Sequence, residues 1–324
     1  MKKIVLFALV AAVAAGVVGA QKKVDFPRRP IEMVIPFGAG GASDIFARQY
    51  AQLAEKFLGK PITAINKGAA GTIEGMTYAY NQPADGYTIL EITPSLLIVE
   101  ALKKTNIKFR ENFEPLMRVQ SDLQAIGVAP TSKFKTFKEL VEFGKANPKK
   151  LKIGGLSPGG LDDYIANGLA NAAGFQWTYV PYKSGSEIKA AVLGGELDVY
   201  QDKLISFLPL AESGDIRPLV VLNDKRLDMI PALKNVPSTV ELGIKFTQGS
   251  WRGFVVKKGT PAEVKAIILD ALQKAYDSPG YKEMEKNEMT NIRPGYLTAD
   301  EFRAAWDEEF DGYVDIFKKT GQLK

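Results

Sequence analysis

VIPFGAGGASDIFAR, residues 34–48, is a short apolar run that enters a glycine-rich turn and leaves it as an amphipathic helix. Glycines just ahead of a helix hold backbone N–H groups open, and the positive end of the helix dipole favours an anion there. The stretch therefore predicts a strand–turn–helix unit whose turn can receive a negatively charged group. Working outward, 31–36 reads as a strand. Residues 44–58 read as a helix with Phe46, Tyr50, Leu53, Ala54, Phe57 and Leu58 on one stripe and Gly59 as its stop. Further strands are expected at 62–66, 87–92, 123–128, 151–155, 177–180, 197–200, 216–222 and 251–256. Helices are expected over 72–81, 137–146, 261–276 (with Pro261 as first helical residue) and 300–319. Such alternation is the α/β pattern. No internal repeat, low-complexity segment or flexible linker stands out.

The N-terminus has a different composition. Lys2 and Lys3 precede an apolar stretch over 4–19, small residues Val18-Gly19-Ala20 follow, and Gln21-Lys22-Lys23 restores polarity. This predicts a signal peptide over 1–20, cleaved near Ala20, and a periplasmic mature protein. About 300 residues then remain, too many for a typical single core, so two domains are expected. Losing Lys2 and Lys3 lowers the formal charge from +5 to +3, which tolerates an acidic ligand. No basic run is interleaved with aromatics, so nucleic acid is not an expected partner.

Two absences narrow the chemistry. With no Cys there is no disulfide, thiol nucleophile or thiolate metal site, and with no His there is no imidazole base or ligand. No metal and no cofactor are expected. Gly38-Ala-Gly40-Gly-Ala-Ser43 approaches G-x-G-x-x-G, but Ser stands at the last position and Asn66 ends the next strand where an acidic ribose-binding residue is required. Gly155-Leu-Ser157-Pro-Gly159 fits G-x-S-x-G, yet no histidine can take the Ser157 proton and Pro158 removes an oxyanion-hole N–H. Ser186-Glu-Ile-Lys189 and Lys319-Thr-Gly321 lack the third element of the penicillin-binding set. Ser186 reads better as a helix N-cap, and Asp162-Asp163 as complements to a helix dipole.

What survives is a set of strand-to-helix turns at 38–44, 157–160 and 182–186. In open α/β sheets the ligand sits where such turns converge, and two separated clusters suit an anion with two carboxylates. The run RPIEMVIPFGAGGASDIFARQYAQLAEKFLGKPITAINKGAAGTIEGMTYAYNQPADGYTIL then resembles the opening of the substrate-binding proteins of tripartite tricarboxylate transporters, the Bordetella uptake gene family. VPYKSGSEIKAAVLGGELDV, VPSTVELG and SWRGFVVKKGTPAEV continue the resemblance in the family's order.

The resemblance implies a two-lobed periplasmic-binding-protein type II fold, with 24–126 as the first part of lobe 1, 127–245 as lobe 2 and 246–324 returning to lobe 1. Hinges are expected near 123–130 and 243–254. The resemblance also implies a ligand in the interlobe cleft, held by Phe37, Gly40, Gly41, Ala42, Ser43 and Asp44 from one lobe. Ser157, Pro158, Gly159 and Gly160, with Tyr182, Lys183, Ser184 and Gly185, answer from the other. Thr93 and Ser95 fall at the end of the third strand, and Asp202 follows a strand facing the cleft. Arg252 can clamp a carboxylate with parallel hydrogen bonds or lie stacked on Trp251 at the surface. The sequence departs from the family at Ser157-Pro-Gly-Gly-Leu-Asp162, where Asp162 in the cleft would repel a carboxylate.

The expected function is periplasmic capture of a small organic carboxylate, a di- or tricarboxylate, without catalysis, by a monomer serving a permease of one large and one small membrane subunit. Two alternatives stay open: a sensing subunit that presents its closed form to a receptor kinase, and a hydrolase that uses neither His nor Cys.

Overall fold

The computed structural model describes residues 24–68 and 72–323. The expected signal peptide and its cleavage point lie outside the described residues. In chain order the elements are β1 (Ile31–Ile35), α1 (Ala42–Leu58), β2 (Ile62–Asn66), α2 (Ile73–Asn81), β3 (Thr88–Ile92), α3 (Pro94–Ala101), α4 (Phe109–Asn112), β4 (Phe113–Ser121) and β5 (Gln124–Val128). They continue as α5 (Phe137–Ala146), β6 (Lys152–Gly155), α6 (Leu161–Ala173), β7 (Thr178–Pro181), α7 (Gly185–Leu193), β8 (Tyr200–Lys203), α8 (Leu204–Glu212), β9 (Arg217–Val221), β10 (Trp251–Lys257), α9 (Ala262–Tyr276), α10 (Pro279–Asn287) and α11 (Ala299–Lys319).

The strands form two sheet systems, as the two lobes implied by the resemblance require. The first has the order β2-β1-β3-β10-β4, with β1, β2 and β3 parallel and β10 antiparallel to both its neighbours. The second centres on β8-β5-β9, and the parallel pair β6-β7 joins it through a bridge between Ile153 and Val199. Only Asp122 and Leu123 separate β4 of the first sheet from β5 of the second. The returning chain runs beside them: the Asp122 N–H donates to the Ser250 carbonyl at 2.7 Å.

Packing fixes the first sheet between two helical layers. On one face Tyr50 of α1 meets Phe254 of β10 at 4.8 Å between ring centroids and Tyr281 of α10 at 5.2 Å. Its buried hydroxyl donates to the Leu272 carbonyl of α9 at 2.8 Å, so this aromatic core leaves no polar tip unpaired. On the other face α11 lays Phe302 and Trp306 against β10 and α4. Further along α11, the Tyr313 ring stands 4.5 Å from Tyr164 of α6, edge to face, which carries one apolar cluster from the first lobe into the second.

Some elements depart from the sequence reading. The strand expected at 197–200 lies at Tyr200–Lys203, because Leu197 and Val199 are buried anchors of the turn that leads into it. Asp202 therefore lies on that strand and does not follow it. Ser184, not Ser186, caps α7, accepting the Glu187 N–H at 3.3 Å, and Pro261 is the N-cap of α9. Strand β4 was not expected. Its sequence FEPLMRVQS carries Pro115, Glu114 and Arg118, which break the apolar run that marks a buried strand.

Candidate functional site

The turn that opens α1 is held from behind. Gly40 takes a positive φ of 78°, and its N–H donates to Asp44 Oδ2 at 2.8 Å. Asp44 Oδ1 in turn accepts from Arg48 Nε at 2.8 Å and Asn66 Nδ2 at 2.9 Å, and Asn66 also donates to the Phe37 carbonyl at 3.1 Å. Although burial pushes the Asp44 carboxyl up, the Gly40 N–H, Asn66 and Arg48 together hold it below the usual carboxylate range. Asp44 is thus committed to shaping the turn. Helix α1 starts at Gly41 with no side-chain cap, and the N–H groups of Ala42 and Ser43 carry no hydrogen bond among the described residues.

The second lobe repeats this device. Gly159 takes a φ of 68°, Gly160 is the N-cap of α6, and the Gly159 N–H donates to Asp163 Oδ2 at 2.7 Å. Asp163 also accepts from Asn167 and, at 2.6 Å, from Gln322 Nε2 at the end of the chain. Gly40-Gly41-Ala42-Ser43-Asp44 and Gly159-Gly160-Leu161-Asp162-Asp163 are therefore structural counterparts. The shared G-G-x-x-D spacing is the signal that a search for long repeats passes over.

Asp162 takes the place of Ser43. Half-buried, it accepts the Leu156 N–H at 3.4 Å, and burial with the negative charge of Asp202 pushes its carboxyl up. Asp202 accepts from the Tyr200 hydroxyl at 2.8 Å and the Lys203 N–H at 2.7 Å, and burial raises it too. Lys203 reaches back to the first crossing, with Nζ 3.1 Å from Asp122 Oδ2.

Arg252 occupies the floor beneath the first turn. It is 5% exposed, so the surface-stacked alternative does not hold; the ring under its guanidinium is Phe46, at 5.3 Å, while Trp251 donates its indole N–H to Glu309 at 2.7 Å. Arg252 Nε donates to Ser43 Oγ at 3.4 Å and lies 3.8 Å from Glu91 Oε1. Glu91 is fully buried, and neither of its oxygens completes a hydrogen bond, although the Ser43 hydroxyl leans toward it. Burial pushes its carboxyl up to about 7 against the pull of Arg252, Ser43 and Lys203. Sequence reasoning passed over Glu91, Lys203 and Asp122, since a lone charge in an apolar strand shows no pattern until strands from both sheets meet.

The remaining candidates sit at helix starts. Thr93 is buried and caps α3, accepting the Ser95 N–H at 3.3 Å. Ser157 and Pro158 are exposed at the second turn, and Phe37 is half-buried at the first. Lys183 and Gly185 are exposed beside the Ser184 cap, while the Tyr182 hydroxyl turns to Glu196 Oε1 at 2.7 Å, along a shallow groove of about 370 Å³ beside α7.

Paired strand–turn–helix loops at the carboxyl ends of strands in two sheets, joined by two adjacent crossings, define a two-lobed solute-binding protein. The chain belongs to the tripartite tricarboxylate transporter family receptors, TctC, whose family model matches residues 46–308. These are solute-binding receptors and not enzymes. A relative from Cupriavidus necator, the UPF0065 protein in the gbd 5' region, is 32% identical over 98% of this chain and 95% of its own. Among solved structures, a TctC solute-binding protein from Polaromonas superposes with a TM-score of 0.79 at 23% identity, over 91% of this chain and 99% of its own. Two proteins from Rhodopseudomonas palustris share the fold: one with adipate (TM-score 0.73, 23% identity, 92% and 99% covered) and one with bound malate (0.70, 21%, 90% and 99%).

Proposed function

We propose that this chain is the periplasmic receptor that captures a small organic carboxylate and delivers it to a permease of one large and one small membrane subunit. A signal peptide removed near Ala20 would release it into the periplasm. The lobes would comprise 24–126 with 246–324, and 127–245, and the ligand would lie between Phe37, Gly40, Gly41, Ala42 and Ser43 on one side and the turns at 157–160 and 182–185 on the other. One observation carries this reading: the uncapped start of α1, with free N–H groups at Ala42 and Ser43 above the buried Arg252. Peptide dipoles and a guanidinium converge there, and a carboxylate supplies the charge they lack. Asp44, bonded to Gly40, Arg48 and Asn66, would position the turn without touching the ligand. The adipate- and malate-bound relatives support the ligand class.

Binding would draw the lobes together, stabilising the closed form only by as much as the ligand prefers it. Small-angle scattering during titration with dicarboxylates and amino-substituted carboxylates tests this. Capture predicts a fall in the radius of gyration that saturates with one equivalent. No change with any carboxylate, alongside no heat of binding, would contradict it.

A further inference from the structure

The two matched turns differ at one position, and the difference bears on the ligand's second end. In the first lobe the residue after the N1 position of the helix is Ser43, neutral and small; in the second it is Asp162. Asp162 stands where its own lobe would otherwise receive a ligand anion, and it already accepts the Leu156 N–H. Near it are Asp202 and Asp163, whose negative charges raise its carboxyl, and Lys203, which is engaged with Asp122 at 3.1 Å. A second ligand carboxylate would therefore meet repulsion at this turn.

One unpaired group beside Asp162 gives an independent sign. Gln201 donates its amide to the Asp162 carbonyl at 3.3 Å, while its Oε1 is buried without a partner. That oxygen is an acceptor. A buried acceptor without a donor is costly, so the group missing from this end of the site is a hydrogen-bond donor.

We infer that the ligand is asymmetric: a carboxylate at the first turn and a cationic or N–H-bearing nitrogen at the second, with Asp162 as the residue that selects it. The inference rests on the carboxylate reading above and narrows it from a plain di- or tricarboxylate to an amino-substituted or zwitterionic carboxylate. Asp202, bonded to the Tyr200 hydroxyl and the Lys203 N–H, shares the task through its negative charge, which acts on Asp162.

Calorimetric titration with matched pairs that differ only by the amine tests it: succinate and aspartate, glutarate and glutamate, butyrate and 4-aminobutyrate. In at least one pair the amine should tighten binding roughly ten- to hundredfold, the range of a charge-assisted hydrogen bond. Asp162→Asn, nearly isosteric, should remove most of that preference while leaving the amine-free acid bound as well or better. Asp202→Asn should reduce the preference in the same direction and serves as the second variant should Asp162→Asn fold poorly. Amine-free acids that bind as tightly as their amino partners, or a preference unchanged in both variants, would overturn the inference and leave carboxylate capture standing. If no acid of either kind binds, both fail together.

Discussion

Glu91 is the residue on which the electrostatics of the cleft floor turn. At 3.8 Å, Arg252 is too far to offset the cost of burying its carboxylate, and the carboxyl is pushed up to about 7 from an ordinary 4.5. Between those values the folded protein holds a proton that the unfolded chain releases, so this group stabilises the fold fully below about pH 4.5 and loses that contribution as pH rises through 7. The span corresponds to on the order of 3 kcal/mol. Glu91→Gln mimics the protonated form. Urea unfolding should find it about equal to the parent at pH 5 and more stable at pH 8; a variant less stable at pH 8 would show Glu91 to be a stabilising partner of Arg252. Asp163, by contrast, is fully engaged as a hydrogen-bond acceptor. Asp163→Ala strands the Gly159 N–H, Asn167 and Gln322, and should cost about 2–4 kcal/mol of stability in the same assay.

At the scale of elements, the two glycine turns share a shape but differ in surroundings. A Cβ on Gly40 would meet nothing within 4 Å, so Gly40→Ala carries only the left-handed backbone penalty, about 1 kcal/mol. On Gly159 the added carbon would lie 2.9 Å from both Leu102 Cδ1 and Gln322 Oε1, side-chain ends that can shift only by disturbing the Gln322–Asp163 bond, and Gly159→Ala should cost somewhat more, about 2 kcal/mol. Thermal unfolding of the two variants should show that order, and equal losses would contradict the packing described for the second turn. These elements were unequally legible in the sequence. The helix expected around 137–146 spans Phe137–Ala146, where its apolar stripe is clear and Thr136 and Glu139 close a capping box that the sequence reading did not use. Helix α3 was missed because PSLLIVEA is apolar on every side and carries no helical period. The first turn could be read from its glycines, whereas the different tasks of Asp162 and Asp163 could not. Adjacent in sequence, they point to different partners only once α6, β8 and the chain end are packed.

At the scale of the molecule, α11 is the element that touches both the second crossing and the other lobe. Its Glu309 accepts from Trp251 Nε1 and the Tyr313 hydroxyl, both at 2.7 Å, so one carboxylate ties the second crossing to the ring that meets Tyr164 of the other lobe. The crossings are equally tight, since a Cβ on Gly249 would come within 2.1 Å of the Asp122 carbonyl oxygen. A hinge between the lobes would turn about Asp122 and 249–250, where the two crossings lie side by side; 249–250 falls in the expected segment 243–254, and Asp122 stands just before the expected segment 123–130. Glu309→Ala should expose amides of 248–251 to hydrogen exchange far more than those of α1, and uniform protection in both regions would argue against a clamp.

The central claim is that a carboxylate binds at the open start of α1. The most direct test is thermal unfolding of the mature protein with and without the carboxylates named above, compared with Ser43→Asp, which gives the first turn the residue found at the second. A carboxylate at 100 times its dissociation constant should add about 2.7 kcal/mol of stability to the parent, and none to Ser43→Asp, whose own carboxylate would occupy the site above Arg252. Equal stabilisation of both proteins would place the ligand elsewhere and contradict the account.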